Sequence, residues 1–172
     1  MQFDVSAEEK RKAKVPHEII LANLVGNHIL WFISSLGLYN SYWQPLALVP
    51  IFSVTTLTYS LWRAKRALKT DPWYVAAHWQ VCARYSRIFS GMLGLLLVMS
   101  LLGWVGYTYF GMMDIAVKAI IGGAGLLPVM VTVLVLIVIE SDSLHQANQG
   151  RVPNSIVKRY PAPADLPVLE EP

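Results

Sequence analysis

The chain has 172 residues, of which 55% are hydrophobic and only 15% charged, and its mean hydropathy is +0.45. A soluble domain carries about a quarter of its residues as charges, so this balance points to lipid and excludes disorder for most of the chain. The net charge of +3 gives no case for nucleic acid, and the single cysteine, Cys82, excludes an intrachain disulfide and any multi-cysteine zinc site.

Residues 1–18 form a basic N-terminal segment containing Lys10, Arg11, Lys12 and Lys14. A membrane-spanning helix needs about 20 mainly apolar residues, because the hydrocarbon core is about 30 Å thick and each residue rises about 1.5 Å. Four stretches qualify: Ile19 to Tyr39, Trp43 to Trp62, Ile88 to Phe110, and Ile115 to Ile139. The expected fold is therefore an all-α polytopic membrane protein, with residues 19–140 forming a four-helix transmembrane domain. The first apolar run is too long for a signal-peptide core and no small-x-small cleavage site follows it, so it reads as a retained span. Tyr39, Tyr42 and Trp43 border the first two spans; Trp104, Tyr107, Tyr109 and Phe110 close the third; Trp62 closes the second. Amphipathic rings favour such interfaces.

The first span carries polar groups. Asn23, Asn27, Ser34 and Ser41 recur near helical spacing and form one stripe, and Ser53, Thr56 and Ser60 form another on the second span. In hydrocarbon such stripes turn inward and hydrogen-bond between helices. His28 adjoins the first stripe, about 15 Å inside the edge of the span. Three readings stand for it. It is a neutral imidazole bonding to the Ser/Thr stripe, a haem or metal ligand, or a proton-handling group. As a ligand it lacks a second histidine at its depth: His17 lies at the edge of span one, His78 about ten residues before span three, and His145 after span four. Met99 and Met130 are the residues that remain for a His/Met pair.

Between spans two and three, residues 63–87 hold Arg63, Lys65, Arg66, Lys69, Arg84 and Arg87. RAKRALK extends the second span as helix. Asp71 suits an N-cap and Pro72 the first position of a helix running into span three. Gln80, Arg84 and Arg87 form a polar stripe there; Val75, Trp79, Cys82 and Phe89 form an apolar one. With His78, the basic residues of this connection make a surface suited to a partner or to anionic lipid headgroups, or else ordinary anchoring of helix ends.

In spans three and four, Ser90/Gly94 and Ala119/Gly123 are small-xxx-small pairs, and Gly91, Gly103 and Gly106 add smooth surface for close helix approach. Pro50 and Pro128 should kink the second and fourth spans. Asp114 and Lys118 are placed for an i, i+4 pair at the outer end of span four, and Glu140 marks its inner end. Residues 141–172 form a tail with five of the ten prolines (Pro153, Pro161, Pro163, Pro167 and Pro172), expected to be extended and largely disordered beyond Gly150.

Thirteen of the fourteen Lys and Arg fall in the N-terminal segment, the 63–87 connection and the tail. The positive-inside bias then predicts both termini and the connection in the cytoplasm, with the spans paired as two antiparallel hairpins, in what we read as a bacterial inner membrane. HEII lacks the second histidine of a zinc-protease motif. There is no Walker loop, and no serine–lysine or paired-aspartate set for hydrolysis. The expected function is a non-enzymatic accessory subunit, assembly factor or regulator, associating with other membrane subunits or with itself and requiring no cofactor. One alternative is a small transport or haem- or ion-binding protein using Asn23, Asn27 and His28. A second is an enzyme acting on a lipid-like substrate at the cytoplasmic face.

Overall fold

The computed structural model describes all residues except 39, 165 and 170–172; Tyr39 and Pro172, named above, lie outside the described residues. A two-residue strand β1 (Gln2–Phe3) leads into α1 (Ala7–Leu38). Then follow α2 (Gln44–Thr70), α3 (Trp73–Phe110), α4 (Asp114–Gln149), a short α5 (Asn154–Arg159) and a strand β2 (Val168–Leu169). Helices α1 to α4 are each long and apolar enough to cross a membrane, with mean hydropathies of 1.3 to 2.5 over their most apolar windows.

Local chemistry sets the helix ends. Ser6 and Glu9 form a reciprocal capping box that starts α1. Gly111 and Gly150, at φ of 63° and 78°, end α3 and α4 in the left-handed conformation that glycine adopts without a Cβ penalty. Two stretches are wound more widely than an α-helix: Ala22–Trp31 within α1 and Ile120–Leu126 within α4. The Phe32 amide reaches back five residues to Asn27, and that of Leu127 five to Gly122. The second wide stretch lies just before Pro128, whose ring nitrogen has no hydrogen to offer the preceding turn.

The packing inverts that of a soluble protein. Every residue from Tyr74 to Ala83 of α3 is buried, although this part precedes the apolar stretch. Within the apolar stretch, Leu97, Leu101 and Leu102 are exposed. Hydrocarbon gives leucine no reason to hide, whereas the water-facing end must bury its apolar groups. Tyr74, Ala77 and Val81 pack there with Phe3, Val5, Ala13, Ala147, Val152 and Ile156. Deeper in, Ile20, Leu24, Leu57, Phe89, Val129, Val133 and Leu136 join the four helices. Gly103 faces Val117 and Ile121, and Gly125 faces Leu96 and Met99, so both allow close approach of α3 and α4.

Two expectations change. Asp71 does not cap α3: it follows the end of α2, where Arg63 draws its carboxylate to 2.6 Å, and Pro72 takes the cap position with Trp73 the first helical residue. The described part of the tail is folded against the body. β2 pairs antiparallel with β1, Gln2 opposite Leu169 and Phe3 opposite Val168. The Trp73 indole donates to the Tyr160 carbonyl at 3.0 Å, and Ile156 of α5 is buried in the core. The apolar side chains Val152 and Ile156 reward this docking, a contribution that the density of prolines obscured.

Gly150 carries the junction between α4 and β1. A Cβ built on it would lie 2.7 Å from the Phe3 carbonyl oxygen, while one on Gly91 would meet open space. Gly150→Ala should therefore cost at least about 1 kcal/mol, from left-handed backbone strain alone, and lower the unfolding temperature in detergent. Gly91→Ala should leave that temperature unchanged or raise it.

Candidate functional site

Two buried polar layers hold the helices together. The first is at the level of Glu140. His17 of α1, His78 of α3 and Glu140 of α4 are each fully buried. His17 Nδ1 lies 2.6 Å from Glu140 Oε2, and its Nε2 lies 3.0 Å from His78 Nδ1. His78 Nε2 lies 3.1 Å from the carbonyl oxygen of Arg151, just past the end of α4. Tyr74 packs its ring edge against His78 and donates its hydroxyl to the Ala147 carbonyl at 2.9 Å. The Cys82 thiol donates to the Pro16 carbonyl at 3.6 Å.

The row from Glu140 to Arg151 has a fixed proton count. Each of its three contacts needs one proton between its two heavy atoms. Two neutral imidazoles supply two protons and an ionised carboxylate supplies none. The third contact therefore requires one further proton, held between Glu140 and His17. In this arrangement His17 donates to His78 Nδ1 and His78 donates to the Arg151 carbonyl. His78 sits ten residues before the apolar stretch of α3; burial, and then the neighbouring His17, pushes its pKa down to about 3, which keeps the extra proton off that ring. Among the described residues Glu140 Oε1 is buried and has no hydrogen-bond partner, so the carboxyl is anchored there through one oxygen.

The second layer lies deeper. His28 Nε2 is 2.9 Å from Ser53 Oγ, and its ring meets Phe89 edge-on. Asn23 Nδ2 donates to the same Ser53 oxygen at 3.4 Å; Asn27 Nδ2 donates to the Val49 carbonyl at 2.9 Å and to Asn23 Oδ1 at 3.2 Å. The wide turn of Ala22–Trp31 lets the adjacent Asn27 and His28 both reach α2. It also shifts the phase of the stripe. Ser35 is buried beyond it, whereas Ser34 and Ser41 are exposed and do not join the layer. Thr56 borders a neighbouring hollow with Asn23 and Asn27. Ser60 is buried two turns further along α2. His28 and Met130 line one apolar cavity of about 260 Å3, which Met99 does not line.

The expected surface of the connection divides. Lys65, Arg66, Lys69, Arg84 and Arg87 are exposed, with Arg66 over the Trp62 ring at 5.5 Å. Arg63 is half-buried between Asp71 and Trp79. His78 is not on the surface at all, because α1 and the turn after α4 cover the helix there and give its ring two partners, His17 and the Arg151 carbonyl. Gln80 is likewise buried, donating to the Ala64 carbonyl at 2.7 Å.

Sequence reading placed His17 and Glu140 at matching edges of the first and fourth spans but did not join them. Their common depth was the available signal. His78 had none, being well outside any apolar run. Among the described residues no group of three His, Cys, Asp or Glu side chains has a geometry that would hold a metal ion. No protein-family model matches this chain, and neither a curated protein nor a solved structure matches it.

The proton count makes a prediction. In Glu140→Gln the amide N–H donates to His17 Nδ1, so all three contacts stay filled without a bound proton. Its stability should fall by no more than about 1 kcal/mol. Glu140→Leu leaves His17 without that partner and should cost roughly 3 kcal/mol or more. Thermal unfolding in mild detergent checks both.

Proposed function

We propose that the protein is a non-enzymatic integral membrane component, an accessory subunit, assembly factor or regulator that binds a transmembrane helix of another subunit or of a second copy. The observation that carries this reading is an open groove between α2 and α3. Pro50, Val54, Leu57, Leu61, Leu93 and Leu97 are among the apolar residues lining about 450 Å3 there, and Ser90 and Gly94 form part of its α3 wall. Gly94 and the neighbouring Gly91 face open space. Among the described residues nothing packs closely on Gly94, although small-residue pairs such as Ser90/Gly94 are suited to close backbone approach. The distribution of basic residues supports two antiparallel hairpins with both termini and the α2–α3 connection in the cytoplasm. A second reading, proton or ion handling, is favoured by the extra proton that the Glu140–His17–His78 row requires; proton flux through vesicles of the purified chain would put it first.

Gly94→Leu should fill the groove without harming the helix. Co-purification of partner subunits, or cross-linking of a second copy, should drop about tenfold, with the unfolding temperature of the isolated chain retained. An unchanged set of partners in Gly94→Leu, or a native chain that is monomeric and partner-free when gently extracted, would contradict the reading.

A further inference from the structure

Three arginines converge where α5 docks on α3. Arg84 and Arg87 come from α3 and Arg159 from α5, and with Gln80, Ser155 and Tyr160 they line a cleft of about 310 Å3. Among the described residues no carboxylate lines it. The walls are fixed from behind. The Tyr160 hydroxyl donates to Gln80 Oε1 at 3.3 Å, the Trp73 indole holds the Tyr160 carbonyl, and Ile156 is buried. Arg84 donates one Nη1 hydrogen bond to Ser155 at 3.3 Å, and Arg87 donates its Nε to the Ala83 carbonyl at 3.0 Å. Arg84 also lies over the Tyr85 ring at 6.0 Å and Arg159 over the Tyr160 ring at 5.8 Å, but among the described residues no carboxylate pairs with any of the three, and all three side chains are exposed. Three like charges held together repel one another unless an anion joins them.

We propose that this cleft binds a phosphate group, as carried by an anionic phospholipid or by free phosphate. Planar guanidinium forks match phosphate oxygens in pairs. Arg87 immediately precedes the apolar stretch of α3, and the next residue, Ile88, is exposed. The cleft therefore opens where a lipid headgroup meets hydrocarbon, with α3 available to the acyl chains. The inference is independent of the α2–α3 groove, whose lining shares no residue with this cleft.

The test uses the full chain in a neutral detergent. It is titrated with short-chain phosphatidylglycerol, with phosphatidylcholine of the same chain length, and with inorganic phosphate, reading Kd by calorimetry. Phosphatidylglycerol should bind at least about tenfold more tightly than phosphatidylcholine. Arg84→Gln and Arg159→Gln should each weaken that binding about tenfold, as loss of a charged hydrogen bond predicts. Lys69→Gln, on α2, should not. Inorganic phosphate bound as tightly as phosphatidylglycerol, and lost in the same variants, would support the site with a soluble ligand in place of a lipid. Equal binding of the two lipids with no binding of phosphate, or arginine variants that bind as the native chain does, would overturn the proposal. Unliganded unfolding temperatures verify that the variants fold, and loss of binding by the native chain at high salt provides a check that needs no variant.

Discussion

A carboxyl group fully removed from water must find a partner, and in this protein Glu140 finds its partner on another helix. The bond from Glu140 to His17 joins α4 to α1, and the bond from His17 to His78 joins α1 to α3. The last link returns to the chain just beyond α4, at Arg151. Three helices and one turn are thus bound in a single row of hydrogen bonds. An unpaired member would carry a desolvation cost of several kcal/mol, so the row specifies how these helix ends meet more strictly than apolar contact does. The strand β1, which pairs beside Arg151 and Gly150, completes the closure.

The rest of the architecture follows from having two solvents. Lipid leaves the Leu and Val side chains of α3 and α4 exposed and does not press the helices together, so close approach depends on small residues such as Gly103 and Gly125 and on the Asn23–Asn27–His28–Ser53 layer. Water acts on the other end. There the N-terminal strand, α5 and the first ten residues of α3 bury tyrosine, phenylalanine and valine in a compact apolar core. The layer of Glu140, His17 and His78 lies near the boundary between the two solvents, and that of His28 and Ser53 lies deeper along the helices.

Much of this was legible in the sequence. The four spans follow from length and hydropathy, and the two polar stripes meet in part, through Asn23 and His28 of α1 and Ser53 of α2. The turn widening at Ala22–Trp31 was not legible, because no proline or glycine pattern marks it uniquely. Beyond it Ser34 is exposed and Ser35 buried, while Ser41 lies past the end of α1. The burial of His78 was hidden for a different reason. Helix periodicity reports one apolar face, whereas residues 74–83 of α3 are enclosed on all sides by α1, α2, α4 and the folded tail. The cleft of Arg84, Arg87 and Arg159 needed the position of α5, and a proline-rich tail gives no hint of where it docks.

The central claim is that the row from Glu140 to Arg151 contains one proton beyond those of two neutral imidazoles. Nitrogen NMR of histidine-labelled protein in bilayers, read together with the infrared carboxyl band of Glu140, counts those protons directly. The account predicts a neutral His78 protonated at Nε2, beside either a doubly protonated His17 or a singly protonated His17 facing a protonated Glu140. An ionised Glu140 beside two neutral imidazoles would contradict it.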